Sequence, residues 1–248
     1  MNYTVIILAG GKGKRIKKFT KKEPKPLLKI LGKPFIEYQI NFLKKQDFKK
    51  IIISIGHYGD QIINYFNKNR IKKVNITFSQ DGKELLGTGG AIKKIFKKYK
   101  GSFIILYGDS FLPIDFSKII EAFEASNKDV LLTVYKNNNK YDKSNVKILN
   151  KKIYYNKNYK DKDMNYIDYG VSVINSAVIK KYHFGKIFDL SDLFNKLCID
   201  DKMDYKIIKK RFYEIGSYKG INEFKSFIKK NAKKNIYWEL FRWINGDI

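Results

Sequence analysis

Apolar residues recur along this chain with two different periods. Short runs rich in Val, Ile, Leu and Phe at residues 3–9, 51–55, 74–78, 103–107 and 130–135 read as buried β-strands. Between them, residues 34–45, 59–67, 89–99 and 116–125 carry apolar positions three and four apart, the spacing of an amphipathic helix. Strands and helices alternating in this way predict right-handed crossovers and an α/β architecture, an αβα sandwich around a mixed, mainly parallel sheet. Such sheets take ligands at the carboxyl ends of their strands, so the residues that follow each run are the ones to read for chemistry.

The regularity fails between residues 137 and 168, a stretch rich in Asn, Lys, Tyr and Asp. Two short apolar runs there, 146–149 and 153–155, predict a hairpin with a mobile loop through Asp163, a small insertion in the second half of the chain. Ordered patterning returns with 169–175, a helix near 190–199, a strand ending at Glu214 and a helix over 218–229. The reading is of one domain over residues 1–230, with halves 1–135 and 136–230. Residues 231–248 form a C-terminal segment carrying Tyr237, Trp238, Phe241 and Trp243, which is expected to cap the core or to pair two subunits in a homodimer.

Composition narrows the class. With 248 residues, 44% hydrophobic and 15% aromatic, the chain can bury a substantial core and is not a disordered one. A single cysteine, Cys198, excludes an internal disulfide, and no Cys/His cluster has zinc spacing. No apolar run is long enough to cross a membrane, and residues 5–9 lack the basic leader of a signal peptide, so a soluble cytoplasmic protein without membrane contact is expected. A net charge of +27 would attract any polyanion. Only Arg15, Arg70, Arg211 and Arg242 among the 51 basic residues are arginine, and the rest are lysines scattered among Asn and Ile. Specific nucleic-acid readers favour the bidentate guanidinium, so nucleic acid is disfavoured as a partner and the charge reads as a lysine-rich surface able to gather phosphorylated substrates.

The first strand runs directly into Leu8-Ala9-Gly10-Gly11-Lys12-Gly13-Lys14-Arg15. Glycines let a backbone approach a phosphate and turn N–H groups toward it, while Arg15 and the lysines supply charge, so the loop reads as a phosphate cradle or, more blandly, a tight turn. It lacks the third glycine of a dinucleotide fingerprint and the terminal Gly-Lys-Ser/Thr of a P-loop. Ten residues on, Pro24-Lys25-Pro26-Leu27-Leu28 holds a lysine between two prolines that fix its direction.

Together these two segments resemble the signature of the sugar-1-phosphate nucleotidyltransferases, and the resemblance runs from about residue 3 to residue 229. It implies a Rossmann-like fold and a loop that wraps a nucleoside triphosphate, with Leu8, Ala9, Gly10, Gly11 and Gly13 at the nucleotide and Arg15 and Lys25 as catalytic cations on its phosphates. Leu86-Gly87-Thr88-Gly89-Gly90-Ala91 resembles the family's base-recognition loop, in the version found in heptose- and mannose-1-phosphate guanylyltransferases. Gly87 and Thr88 are thereby implied at the base, with GTP the favoured nucleotide and small residues leaving room for a flat ring.

The strand at 103–107 ends in Gly108-Asp109, which matches the family's metal-binding aspartate. Tyr213-Glu214-Ile215-Gly216-Ser217 resembles the segment carrying a second ligand, with glutamate where aspartate is usual. The resemblance therefore implies Mg²⁺ held by Asp109 and Glu214, and a reaction joining an NTP to a sugar 1-phosphate with release of pyrophosphate. Asp168-Tyr169-Gly170 resembles the strand that lines the acceptor pocket, which makes Asp168 and Gly170 candidates for the sugar, with Lys157 for its phosphate. The competing expectations are a cytidylyltransferase acting on a non-sugar phosphate and a basic nucleic-acid-binding module without catalysis. His57 and His183 read as surface or satisfied polar residues.

Overall fold

The computed structural model describes residues 2–13, 22–157 and 163–233. Arg15 and the aromatic segment 236–244 lie outside the described residues. A nine-stranded mixed sheet forms the centre. Strands β1 (Thr4–Leu8), β4 (Lys50–Ile55), β5 (Asn75–Gln80) and β6 (Ser102–Tyr107) pair in parallel, in the order β6-β1-β4-β5. Helices α1 (Phe35–Lys45), α2 (Gly59–Lys68) and α3 (Gly87–Lys98) lie between successive strands, as the alternating periods predicted.

The chain then doubles back. β11 (Tyr166–Asn175) runs antiparallel to β6 and to β8 (Val130–Lys136), and β12 (Met203–Ile208) adds to β8 in parallel. The expected hairpin is present as β9 (Val146–Leu149) and β10 (Lys152–Tyr155), joined to the start of β11 through Val146 opposite Tyr166. The strand expected to end at Glu214 is divided. β12 stops at Ile208, and a separate two-residue strand β13 (Tyr213–Glu214) pairs with β7 (Ser110–Phe111) just after β6. A second short pair, β2 (Lys29–Ile30) with β3 (Lys33–Pro34), had no alternating pattern long enough to announce it.

Why the strand runs are apolar at consecutive positions is visible in β1. Val5 and Ile7 point into one core and Ile6 into another, because successive side chains face opposite sides of a sheet covered by helices on both. The first core takes Ile36, Ile40 and Leu43 from α1, Ile62 and Phe66 from α2, and Ile119 from α4 (Ser117–Ser126). The second takes Ile92, Ile95 and Phe96 from α3 and Leu193, Phe194 and Leu197 from α6 (Leu190–Ile199), with Val178 from the single turn α5 (Val178–Lys181). A third cluster joins Phe35 and Tyr38 of α1 to Phe224 and Ile228 of α7 (Tyr218–Lys233) across Phe111, with the Phe35 and Phe224 rings edge to face at 5.1 Å. No described helix is long and apolar enough to cross a membrane.

Candidate active site at the carboxyl edge of the sheet

Three neighbouring strands are tied together where they end. The Ala9 amide donates to the Ser54 carbonyl at 2.7 Å, the Gly108 amide to the Leu8 carbonyl at 2.9 Å, and the His57 amide to the Gly10 carbonyl at 3.3 Å. A cavity of about 280 Å³ opens there. Of the nucleotide residues expected from sequence, Leu8, Ala9, Gly10, Gly11, Gly87 and Thr88 line it, together with Lys25 and Asp109. Gly13 stands beside rather than in the cavity, in the left-handed region at φ +60, where a Cβ would lie 3.6 Å from Cε of Lys25.

Lys25 begins a 3-10 turn that Pro24 and Pro26 frame, closed by the Leu28 amide on the Lys25 carbonyl at 3.0 Å. The turn delivers the Lys25 ammonium to Oδ2 of Asp109 at 2.7 Å, with the lysine side chain 15% and the aspartate 30% exposed. A cation and a carboxylate, 84 residues apart in sequence, thus meet at the rim of one cavity.

The glycine-rich start of α3 also serves as a packing surface beyond Gly87 and Thr88. A Cβ on Gly89 would lie 2.3 Å from the Phe188 ring, and one on Gly90 would lie 2.4 Å from the Lys186 carbonyl oxygen. The room these residues leave is therefore filled by the segment ahead of α6. The Gly89 and Gly90 amides both donate to the Phe188 carbonyl, at 3.0 and 3.1 Å, and Thr88 donates its amide and hydroxyl to Oδ1 of Asp189. Three of the orphan N–H groups of the helix start, those of Thr88, Gly89 and Gly90, are thus satisfied by protein. Asp189 also caps its own helix in a reciprocal box with Asp192. Sequence reasoning missed Asp189, although Asp-Leu-Ser-Asp ahead of an apolar run has the spacing of a capping box.

Asp81, Leu85 and Tyr107 also line the cavity and were missed. Asp81 follows β5, accepts the Leu86 amide at 3.2 Å, and has its pKa raised by burial. Tyr107 donates to Oδ2 of Asp168 at 3.3 Å, and burial pushes its phenol well above the ordinary value.

The acceptor-side candidates do not line that cavity. Asp168 sits at an irregularity in the β11–β8 register, where Gly170 takes φ +105 and donates its amide to Oδ1 of Asp168 at 2.9 Å. Desolvation pushes the Asp168 carboxyl up to about 6, opposed by the Gly170 amide, the Tyr107 hydroxyl and the field of Lys157. Asp168 therefore reaches the cavity through Tyr107, and Lys157 is close enough to act on it electrostatically.

Glu214 comes near Asp109 through the backbone, since β13 pairs Glu214 with Ser110 and the Ile215 amide donates to the Asp109 carbonyl at 2.9 Å. Its carboxylate turns the other way. One oxygen accepts the Gly216 amide and the other the Ser217 hydroxyl, at the entry to α7. Among the described residues no group of three or more His, Cys, Asp or Glu could surround a metal ion. Magnesium is commonly held by one or two carboxylates plus substrate phosphates and water, a role that fits Asp109 as it stands. Glu214 would first have to leave its own turn.

A family model described as nucleotidyl transferase matches residues 4–231. The D-glycero-alpha-D-manno-heptose 1-phosphate guanylyltransferase of Campylobacter jejuni is 43% identical over 114 residues, which are 46% of this chain and 51% of the relative. The protein of the same description from Aneurinibacillus thermoaerophilus is 38% identical over 130 residues, 52% of this chain and 56% of the relative. The chain thus spans about half the length of the curated relatives it matches. A crystal structure of HddC from Yersinia pseudotuberculosis complexed with GMP-PN is similar at a TM-score of 0.74 and 26% identity, covering 91% of this chain and 99% of the other.

Proposed function

Because the chain belongs to the nucleotidyl transferase family, we propose that it joins a nucleoside triphosphate, GTP in preference, to a heptose or hexose 1-phosphate, giving an NDP-sugar and pyrophosphate. The observation that carries this reading is the Lys25–Asp109 pair at the rim of a glycine-lined cavity where β1 and β6 end. The heptose 1-phosphate guanylyltransferase names of two relatives support the choice of sugar and base. Guanine also presents two adjacent donors, N1–H and the 2-amino group, and the cavity offers a carboxylate acceptor in Asp81.

An oxygen of the sugar phosphate forms a bond to the α-phosphorus while the bond from that phosphorus to the β-phosphate oxygen breaks, and pyrophosphate leaves with the electron pair. The attacking oxygen is already anionic, so no strong base is needed. Alignment and charge neutralisation are the protein's work. In this reading Lys25 balances charge at the α-phosphate and the backbone of residues 9–11 follows the phosphate chain, roles supported by their shared place in the cavity lining. Magnesium, held through Asp109, would neutralise and orient both phosphate groups when bound. Tyr107, braced by Asp168, forms the wall from which the acceptor side is approached.

The test is pyrophosphate release with each of the four NTPs, Mg²⁺ and mannose or heptose 1-phosphate, with a thermal-shift panel of the same NTPs alongside. The preferred nucleotide at 100 times its dissociation constant should stabilise the protein by about 2.7 kcal/mol. No release with any sugar phosphate, together with no nucleotide-dependent shift, would reject the reading.

A further inference from the structure

A polar residue interrupts the apolar stripe of α1. Gln39 lies among Ile36, Ile40 and Leu43 on the core-facing side and is 3% exposed. Such a position normally carries an aliphatic side chain. Its amide nitrogen donates to the Tyr107 carbonyl at 2.9 Å and to the Ser110 carbonyl at 2.7 Å, the residues on either side of Gly108-Asp109. Its amide oxygen is buried without a hydrogen-bond partner among the described residues. The opposite amide orientation would set that oxygen against two carbonyls, so the network dictates the assignment. A buried acceptor left unmet is a cost that a merely space-filling residue would avoid.

We propose that Gln39 is a positioning residue for the reaction: by clamping the carbonyls of Tyr107 and Ser110 it fixes the turn that holds the Asp109 carboxylate against Lys25. The turn is also tied by the Gly108 amide on Leu8 and the Ile215 amide on the Asp109 carbonyl, by the pairing of Ser110 with Glu214, and by the Ser110 hydroxyl on Oδ1 of Asp109 at 3.4 Å. Among the described residues, Gln39 is the side chain that bridges both of its ends from a helix. A control is built into the same helix. Gln46, at the end of α1, makes two comparable hydrogen bonds to the later part of the same connection, donating to the Ile114 carbonyl at 3.0 Å and accepting the Phe116 amide at 2.8 Å.

Gln39→Leu, Gln39→Glu and Gln46→Leu are compared with the wild type by thermal melting, by steady-state kinetics, and by competitive acetylation of Lys25 read by mass spectrometry. Both leucine variants should melt earlier by similar amounts. Of the two leucine variants, Gln39→Leu alone should lower kcat, by about tenfold with little change in the KM for NTP, and should acetylate Lys25 severalfold faster, because the ammonium has lost its fixed partner. Gln39→Glu keeps the shape and, when protonated, a single donor, so it should fall between wild type and Gln39→Leu. It carries the test if the leucine variant does not fold. Lys25 acetylation unchanged in the Gln39 variants, or raised equally by Gln46→Leu, would overturn the proposal. The kinetic arm rests on the nucleotidyl-transfer reading and the labelling arm does not. Absence of turnover in the wild type would therefore sink that reading and leave Gln39 to be judged by labelling.

Discussion

Two groups of carboxylates stand at the same edge of the sheet and are treated in opposite ways. At the cavity rim, Asp109 meets a lysine and keeps part of its surface open. One strand further on, Asp168 is enclosed by its own Gly170 amide and the Tyr107 hydroxyl, and in the separate β13–β7 pair Glu214 is held by the Gly216 amide and Ser217 hydroxyl. An acidic side chain whose oxygens are already taken by its own turn holds structure. Asp109 lines a cavity with Lys25 on one oxygen and only a long bond of 3.4 Å from the Ser110 hydroxyl on the other, which leaves it more open to a ligand. The contrast yields distinct expectations: an effect on turnover at Asp109 and effects on stability at Asp168 and Glu214.

The largest expected effect tests the open pair. Asp109→Ala and Lys25→Ala should each lower pyrophosphate release about a hundredfold, equivalent to ~3 kcal/mol, while thermal melting changes little. Wild-type turnover in either variant would remove that residue from the reaction.

The enclosed carboxyl of Asp168 should show itself in stability. Its folded pKa, about 6, lies above the ordinary 3.8, so the folded state binds that proton more tightly than the unfolded chain. The associated stabilisation is complete below 3.8 and is lost as pH rises through about 6. Asp168→Asn should therefore be more stable than wild type at neutral pH, by on the order of 2 kcal/mol, with the gap closing on acidification. Urea unfolding on either side of that window measures it, and a gap independent of pH would contradict the enclosed site.

Two glycines separate packing from ligand space. Gly90→Ala drives a methyl into the Lys186 carbonyl and should cost about 1–3 kcal/mol in urea unfolding. Gly11→Ala meets nothing within 4 Å and should leave stability unchanged while weakening nucleotide binding by titration. Equal stability losses would mean that both are packing glycines.

The smallest effect divides the two functions most finely. Glu214→Ala should cost about 1 kcal/mol of stability through the lost turn bonds, and Glu214→Gln, which keeps an acceptor, less. Turnover should hold in both. A loss in Glu214→Gln matching that of Asp109→Ala would show that Glu214 leaves its turn and joins Asp109 at the phosphates.

Local pattern was enough for what depends on near neighbours. The short continuous apolar runs and the period-3.6 segments identified β1, β4, β5, β6, β8 and the helices between them, because each buried face is written within a few residues of itself. Glycines after β1 and a lysine between prolines marked the cavity, since backbone freedom and backbone restraint are both written in residue type.

The remainder came from meetings across the chain. The strand expected to end at Glu214 is there as β13, but its separation from β12 was hidden because two residues cannot show a period and its partner β7 lies about a hundred residues earlier. Nothing in Gly-Thr-Gly-Gly announces Phe188, and nothing in a lone Gln within an apolar stripe announces the carbonyls of Tyr107 and Ser110. Which carboxylate faces the cavity and which folds into its own turn was likewise a tertiary matter. Side-chain direction there is set by how distant backbones pair, and the chain's local order carries no record of that pairing.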